Sequence, residues 1–244
     1  MTEQTLEGRV ILVTGATRGI GFAAAKSLAE AGAHIVALGR TQGALEDLDD
    51  IIKNAGSSAT LVPMDLKVPD GLDQLAEVIG QRWGRLDGIL GNAGILGDLT
   101  PANQVEPKIF DDVMAINLTA NYRLIRAMDP LMRLSDNARS VFVTSGVSVS
   151  RRAFWGAYAA SKAALDAFIQ CYAKEIEITA MRVNLLNPGG TATRMRAKAV
   201  PGEDPETLPK PDDIAPLIVQ MMSPDYQENG QIIAFRETEF YSRS

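Results

Sequence analysis

A tyrosine and a lysine stand four positions apart in the segment Tyr158-Ala-Ala-Ser161-Lys162, and Ser145 comes shortly before them. If this segment is helical, the phenol and the ammonium lie on one face, one turn apart. A free tyrosine has a pKa of about 10, and a cation ~6 Å away in an effective dielectric of ~20 would stabilise its phenolate by roughly 3 kcal/mol. The spacing therefore predicts a tyrosine acidic enough to protonate a reduced carbonyl or to deprotonate an alcohol. The alternative is core packing beside a solvated charge, which many helices show.

Other kinds of catalytic chemistry have few candidate residues. His34 is the only histidine and Cys171 the only cysteine, which excludes a disulfide within the chain and a metal site built from several such ligands. We expect no metal, and we expect His34 to begin a strand and Cys171 to pack within a helix. The net charge of −6 offers no basic surface for a phosphate backbone, so nucleic acid is not an expected partner.

Apolar runs alternate with amphipathic stretches along the chain, a pattern typical of repeated βαβ units. We predict an α/β fold of Rossmann type, a doubly wound parallel sheet of about seven strands with helices on both faces. No seam for a second domain is visible, so residues 1–244 are expected to form one such domain. The predicted strands are residues 9–14, 34–39, 60–64, 86–91, 140–144, 182–186 and 231–235. The predicted helices are residues 19–31, 42–55, 69–83, 104–134, 157–178 and 211–222.

Two stretches depart from regular elements. Pro130 lies inside the fourth predicted helix and is expected to kink or break it, because proline lacks the N–H of the helical bond. Residues 188–209 are rich in Gly, Pro, Thr and Arg and predict a mobile loop with one short helix. Loops of that kind often close over ligands.

Composition indicates a water-soluble protein. Hydrophobic residues make up 46% of the chain and charged residues 22%, as in ordinary globular domains. No apolar run is long enough to span a bilayer, and residues 1–8 carry acids instead of the basic flank and apolar run of a signal peptide. We therefore expect a cytoplasmic location and no membrane partner.

A buried strand, a glycine-rich turn and the start of a helix follow one another in residues 10–21. Gly15 permits the tight turn, Gly19 lets a pyrophosphate approach the backbone, and Gly21 allows the helix to pack on the strand. The alternative is a plain strand-to-helix turn. Because the glycines occupy the first βα turn of an alternating chain, the pattern favours dinucleotide binding.

The end of the second predicted strand indicates which dinucleotide would bind. An acid there would bind ribose hydroxyls and repel a 2′-phosphate, but this chain has Gly39 followed by Arg40. Arg18 lies in the glycine turn, and two guanidiniums beside one pocket suit a phosphate. The pattern predicts NADP (NADPH when reduced). The alternative is that both arginines are solvated surface residues.

In order and spacing, these motifs resemble those of the classical short-chain dehydrogenase/reductase family, and the resemblance covers almost the whole chain. One motif departs, because Gly91 replaces the first asparagine of the family's NNAG. The chain end also lacks the family's usual glycine-rich finish. The matching segments are residues 14–21 (TGxxxGxG), Asp65-Leu66, residues 91–94, Asn117, Ser145, Tyr158 with Lys162, and Asn187-Pro188-Gly189.

The resemblance implies a Rossmann-fold oxidoreductase that transfers a hydride between NADP and a carbonyl or alcohol. Ser145 would bind the substrate oxygen and Tyr158 would exchange its proton. Lys162 would bind the nicotinamide ribose, and Asn117 would hold a water in a relay to Lys162. Without the resemblance, Asn117 could be a helix-interior residue bonded to backbone, and Thr191 an ordinary helix N-cap. The full cofactor-binding set is Gly15, Thr17, Arg18, Gly19, Ile20, Gly21, Arg40, Asp65, Leu66, Asn92, Ala93, Gly94, Tyr158, Lys162, Pro188, Gly189 and Thr191.

Activity, assembly and substrate follow as further expectations. Because Tyr158 and Lys162 are both present, an enzyme is favoured over a non-catalytic NADP-binding sensor or regulator on the same fold. Family members pair through two long helices, so we expect a homodimer or homotetramer. An aromatic-walled pocket for an anionic or polar small molecule is one hypothesis, and solvated arginines with packing aromatics are the alternative. The residues concerned are Arg151, Arg152, Phe154, Trp155, Arg194 and Arg196.

Overall fold

The computed structural model of the chain describes residues 5–241, so the first four residues of the polar stretch 1–8 lie outside it. Its strands are β1 (Val10–Thr14), β2 (His34–Gly39), β3 (Ala59–Pro63), β4 (Gly88–Gly91), β5 (Arg139–Val143), β6 (Arg182–Asn187) and β7 (Ile232–Ala234). All neighbours are parallel, in the order β3-β2-β1-β4-β5-β6-β7. The predicted Rossmann-type sheet of seven strands is thereby confirmed.

Helices connect the strands and cover the sheet. They are α1 (Gly19–Glu30), α2 (Gln42–Asn54), α3 (Gly71–Trp83), α4 (Pro107–Met114), α5 (Ala120–Met132), α6 (Val147–Ser150), α7 (Gly156–Glu175), α8 (Arg194–Ala199) and α9 (Pro211–Met222). Short 3-10 turns lie at Ala102–Gln104, Pro205–Thr207 and Phe235–Glu237. The predicted helices other than residues 104–134 are confirmed, with ends that differ by at most a few residues.

Alternating side chains of β1 build a core on each face of the sheet. Ile11 and Val13 pack with α1, α2 and α9, whereas Val10 and Leu12 pack with α3, α5 and α7. Successive strand residues point to opposite faces, so a strand that is apolar at every position must be covered on both sides. The two-sided core therefore follows directly from the uninterrupted apolar run of β1.

The order in which successive strands are added to the sheet reverses between β1 and β4. From β1 the chain moves outward through β2 to β3, then returns to the other side of β1 to place β4. In open α/β sheets this point leaves a crevice at the carboxyl ends of the strands, where ligands bind. The fold therefore brings the ends of β1, β4 and β5 together as the walls of one site.

The predicted helix over residues 104–134 differs from the structure. It begins at Pro107, a favoured first helical residue, and a π-helical stretch, Ala115–Thr119, separates α4 from α5. The predicted break at Pro130 is wrong, because α5 continues through this residue and ends at Met132. Single π turns in a helix occur often at functional sites, and this one carries Asn117.

Two other predictions concern single residues. His34 begins β2 as expected, and its ring nitrogens are hydrogen-bonded to the hydroxyls of Ser58 at 2.7 Å and Thr60 at 2.9 Å. Cys171 was expected to pack within a helix, but it is exposed on α7. Cys171 is exposed because the next two residues, Tyr172 and Ala173, lie on the buried face of that helical turn.

Candidate active site

Ser145 lies just beyond the carboxyl end of β5, where the chain turns into α6. Asn187, the last residue of β6, links this turn to the neighbouring one. Its Oδ1 accepts hydrogen bonds from the N–H groups of Gly146 at 3.0 Å and Gly189 at 3.1 Å. The half-buried serine hydroxyl is thus held at the edge of the sheet where ligands bind in this fold.

Tyr158 and Lys162 lie in the first turns of α7, both turned inward. Only 8% of Tyr158 and 3% of Lys162 is exposed. The Lys162 Nζ lies 5.8 Å from the centre of the Tyr158 ring and donates a hydrogen bond to the Val143 carbonyl at 2.7 Å. The ring of Trp155 meets the tyrosine edge-on at 6.0 Å. The spacing in the sequence therefore does place the phenol and the ammonium together, beside the end of β5.

Burial changes the protonation of both groups. It raises the pKa of Tyr158 to about 12, while a hydrogen bond with Ser145 acts in the opposite direction. It also lowers the pKa of Lys162 to about 8, against the effect of Asp166. The phenol of this ligand-free chain is therefore less acidic than a free tyrosine, whereas the spacing alone predicted a more acidic one. Removal of water from the phenolate raises the pKa of Tyr158 more than the hydrogen bond with Ser145 lowers it.

Asp166 is a site residue that the sequence analysis did not identify. It lies one turn beyond Lys162 on α7, is 7% exposed, and accepts a hydrogen bond from the Thr144 hydroxyl. The N–H of Thr144 donates a hydrogen bond to the Leu186 carbonyl at 2.8 Å. A buried carboxylate is costly unless it is bonded, so this hydroxyl fixes it near the ammonium. The only sequence signal is its position four residues after Lys162.

Asn117 lies in the π turn and is fully buried. Its Oδ1 accepts from the N–H of Ile95 at 2.8 Å, and its Nδ2 donates to the Ile95 carbonyl at 2.9 Å and the Ser161 hydroxyl at 3.0 Å. Its own carbonyl accepts from Asn121 at 2.8 Å. The side chain thus binds backbone, as the simpler alternative held, and ties the loop after β4 to α7.

The glycine turn after β1 is shaped by contacts with the loop after β4. Gly15 and Gly19 have φ angles of +66° and +56°, which favour glycine. A Cβ at Gly21 would lie 2.4 Å from both the Asn92 Nδ2 and the Gly15 carbonyl oxygen. Thr14, a residue absent from the predicted set, accepts from the N–H groups of Asn92 at 3.0 Å and of Ala93 at 3.1 Å.

The N-terminus of α1, the helix that follows this turn, has N–H groups that can bind an anion. Arg18 occupies the N-cap of α1, and its side chain accepts no hydrogen bond from the first N–H groups of the helix. Unpaired N–H groups at a helix N-terminus bind phosphate groups. Together with the close approach at Gly15 and Gly19, this end of α1 fits the pyrophosphate of a dinucleotide.

The expected adenosine pocket is crowded at position 39. A Cβ there would lie 2.4 Å from the Thr17 Cγ2, so an acid at this position would require Thr17 to move. Arg18 and Arg40 are both exposed, and within residues 5–241 neither guanidinium has a hydrogen bond or ion pair. Asp65, after β3, accepts from the N–H of Lys67 at 2.9 Å. Leu66 is buried beside it.

The turn after β6 forms the opposite end of the groove. Gly189 has φ +70°, and the buried Thr191 donates to the Pro188 carbonyl at 3.4 Å. Thr191 is not the N-cap of the next helix, because Thr193 accepts from the N–H of Arg196 at 3.2 Å and caps α8. The predicted loop over residues 188–209 contains this short helix and the 3-10 turn Pro205–Thr207.

The aromatic and basic residues predicted near the pocket take different positions. Trp155 packs on Tyr158, but Phe154 is 58% exposed with φ +72°. Arg196 is bound by Glu203 through contacts of 2.5 and 2.6 Å, whereas Arg194 is exposed. Only Trp155 therefore contributes to an aromatic wall as predicted.

Metal and membrane sites can be assessed only for residues 5–241. In that part of the chain, no group of three or more His, Cys, Asp or Glu side chains is arranged to hold a metal ion. None of its helices combines the length and apolar character needed to cross a bilayer.

Comparison with known proteins gives consistent matches. The model of the short chain dehydrogenase family matches residues 9–204. The Escherichia coli K12 protein named "Uncharacterized oxidoreductase YciK" is 42% identical over 226 residues, covering 91% of this chain and 89% of that protein. The structure of a short chain dehydrogenase from Shigella flexneri superposes with a TM-score of 0.92 at 40% identity, covering 97% of this chain and 94% of the other. A chain from Escherichia coli CFT073, solved as a complex with NADPH, has a TM-score of 0.91 at 40% identity, covering 95% and 98%.

Proposed function

This chain belongs to the short-chain dehydrogenase family of oxidoreductases, and we propose that it is an NADP-preferring enzyme that reduces a carbonyl or oxidises an alcohol of a small molecule. The observation that carries the proposal is the inward-facing pair Tyr158 and Lys162 beside Ser145, at the crevice of the sheet. We further propose that residues 1–244 form one catalytic domain.

The cofactor is proposed to lie across the carboxyl ends of the strands. The first turn of α1 and the loop after β4 would hold its pyrophosphate, and the turn after β6 would hold its nicotinamide end. The bound cofactor would supply or accept the hydride. The proposed binding residues are Gly15, Thr17, Arg18, Gly19, Ile20, Gly21, Arg40, Asp65, Leu66, Asn92, Ala93, Gly94, Tyr158, Lys162, Pro188, Gly189 and Thr191.

Preference for NADP over NAD is supported by sterics and by charge. An acid that would bind ribose hydroxyls cannot occupy position 39 without displacing Thr17. Two guanidiniums without ion pairs, Arg18 and Arg40, stand beside this position within the described chain and suit a 2′-phosphate. A relative at 40% identity was solved with NADPH, which agrees with this assignment.

Tyr158 is proposed as the general acid and base, and its raised pKa determines which form of the phenol is present at neutral pH. With a pKa of about 12, the phenol keeps its proton at neutral pH and can donate it to a carbonyl oxygen as that oxygen becomes negative. Ser145 would hold that oxygen through its hydroxyl. Oxidation of an alcohol instead requires the phenolate, which the nearby Lys162 ammonium stabilises.

Lys162 has to stay charged to act in this way, and we propose that Asp166 maintains its charge. Burial alone favours the neutral amine, while the carboxylate one turn away favours the ammonium. Asn117 is proposed to hold the loop after β4 in place through Ile95 and to complete a water-mediated path for protons to Lys162.

We propose that the protein assembles as a homodimer or homotetramer through α5 and α7. Tyr122 of α5 is 45% exposed and meets Phe168 of α7 edge-on at 5.9 Å, so aromatic surface lies on the outer side of this helix pair. Sedimentation equilibrium would test the proposal, with a single monomeric species as the contradicting result.

The function is tested by an assay of NADPH oxidation with a panel of aldehydes and ketones. We expect turnover with NADPH, slower turnover with NADH, and a signal that depends on the carbonyl compound. Tight NADPH binding with no oxidation across the panel would contradict the proposal and indicate a cofactor-binding sensor or regulator.

A further inference from the structure

Three arginines from different parts of the chain gather around one carboxylate, Glu203, beside the proposed active site. Arg196 of α8 binds Glu203 with two contacts, from Nε at 2.5 Å and from a terminal nitrogen at 2.6 Å. The hydrogen bonds from Arg196 hold the pKa of Glu203 below its ordinary value, and the charges of Arg236 and Arg152 act in the same direction. Arg236 lies against the same turn as Arg196, and Arg152 is close enough to act on the carboxylate through its charge.

The cluster is connected to the catalytic serine through the backbone. Gly146, next to Ser145, and Gly189 both donate their N–H groups to the Oδ1 of Asn187. The Nε of Arg236 lies 3.2 Å from the place that a Cβ of Gly189 would occupy. The guanidinium carbon of Arg196 lies 3.3 Å from the corresponding place at Gly190. Both guanidiniums therefore lie directly against the turn that borders the site, in the space beside its two glycines.

The cluster keeps a positive charge. Three guanidiniums face one carboxylate, and of the three only Arg196 forms an ion pair within the described chain. Arg236 comes from the turn after β7 and stacks over the Tyr241 ring at 5.5 Å. Arg152 comes from the loop before α7, and its carbonyl accepts from the N–H of Trp155 at 3.2 Å. The chain carries a net charge of −6, so the charge of this cluster is opposite in sign to the net charge of the protein.

We propose that the substrate carries an oxyanion, a carboxylate or a phosphate group, which Arg236 and Arg152 bind while its carbonyl meets Ser145 and Tyr158. The inference rests on the proposed function, because it names the substrate class of the same site. Guanidinium groups bind such oxyanions through paired, charge-assisted hydrogen bonds. Glu203 neutralises Arg196 and competes with the ligand for it.

Binding, rather than turnover, gives the direct test. The full-length protein is saturated with NADP⁺, which prevents reduction, and titrated with 4-formylbenzoate or with its neutral isostere 4-formylbenzamide. Affinities are measured by saturation-transfer NMR. A third compound, 4-formylphenyl phosphate, tests whether the site binds a phosphate group as well as a carboxylate. We expect the two anions to bind at least about tenfold more tightly than the amide. Equal affinities, or no detectable binding of any of the three, would overturn the proposal.

Four variants assign the effect to the cluster. Arg236→Gln and Arg152→Gln should each remove most of the preference for the anions. Glu203→Gln should increase it, because Arg196 becomes available; a merely damaged loop could not produce that increase. Lys174→Gln, which removes an exposed cation in the last turn of α7, is the control for charge and should leave the preference unchanged. A similar loss in this control would overturn the assignment.

Two further measurements separate this inference from the other claims. NADPH affinity should be unchanged in the Arg236 and Arg152 variants, and a marked loss would assign the cluster to the cofactor phosphates and overturn the proposal. Turnover of the same aldehydes with NADPH tests the proposed function separately. Anion-selective binding without turnover would support the oxyanion site and count against the enzymatic proposal.

Discussion

Replacing Asp166 with asparagine should make Lys162 lose its proton at lower pH. Side chains four positions apart on a helix are separated by ~6 Å, and at an effective dielectric of ~20 one charge stabilises the other by roughly 3 kcal/mol. The variant therefore removes roughly a hundredfold preference for the ammonium over the neutral amine. Since burial already holds the pKa of Lys162 at about 8 with Asp166 present, the variant should have a neutral lysine at physiological pH.

Asp166 is the charged group that most affects Lys162, because the other groups around the ammonium are neutral. On its own helix it faces Tyr158 and Asp166; from β5 it meets the Val143 carbonyl. The loop after β4 contributes the backbone of Gly94, and the π turn contributes the neutral Asn117. Asp166 is therefore the anionic group that favours the charged lysine. Because lysine is charged below its pKa, lowering that pKa removes the charge from the upper part of the pH range first.

The assay is the dissociation constant of NADPH, measured by calorimetry as a function of pH, with kcat/KM recorded in parallel. In the wild type we expect binding to weaken as pH rises past the lysine titration. In Asp166→Asn we expect this midpoint to lie roughly one to two pH units lower, because the attraction between the carboxylate and the ammonium is lost. Asp166→Glu should restore part of the effect. Asp129→Asn, which removes a carboxylate of α5 bonded to Tyr172 of α7, is the control. An unchanged midpoint in Asp166→Asn would refute the reasoning.

Three further predictions concern the cofactor groove and the core. Arg40→Ala should lower the ratio of NADPH to NADH affinity about tenfold or more, through loss of charge-assisted bonds to the 2′-phosphate; an unchanged ratio would remove Arg40 from the pocket. Gly21→Ala should weaken NADPH binding and lower the Tm, because its Cβ would lie 2.4 Å from the Gly15 carbonyl oxygen; calorimetry and thermal unfolding would show this, and two unaltered values would argue against the close contact. Phe142→Ala, at a fully buried ring in β5, should cost about 3–5 kcal/mol in urea unfolding, and a loss below ~1 kcal/mol would contradict the core assignment.

The features that could be predicted from the sequence are those set by local pattern. The apolar alternation of β1, the glycines of the first turn and the spacing of Tyr158 and Lys162 each depend on residues that are close in the chain. These patterns specify an element and the face on which a side chain lies. They were sufficient for the Rossmann-type sheet and for the approach of the phenol and the ammonium.

Other features depend on contacts between distant segments. The π turn at Asn117 is accompanied by hydrogen bonds to Ile95 and Ser161, and no local pattern predicts these partners. Thr144 and Asp166 meet only when β5 packs against α7. Pro130 lies in the last turn of α5, and the helix continues for only two residues beyond it.

The error in the protonation of Tyr158 has the same origin. Spacing gives the distance between two charges, but it does not give the amount of water that each side chain loses. Tyr158 is 8% exposed, and the removal of water from its phenolate raises the pKa more than the hydrogen bond with Ser145 lowers it. Burial, the deciding factor, is a property of the folded chain.

Single-turnover oxidation of bound NADPH by Tyr158→Phe provides the most direct test of the proposed chemistry. The substitution removes the phenolic hydroxyl and leaves the packing against Trp155 in place. With an aldehyde that the wild type reduces, we predict that the variant still binds NADPH with nearly intact affinity, because only one hydroxyl is lost, and oxidises it at least about a hundredfold more slowly. Oxidation at the wild-type rate would contradict the assignment of Tyr158 as the proton donor.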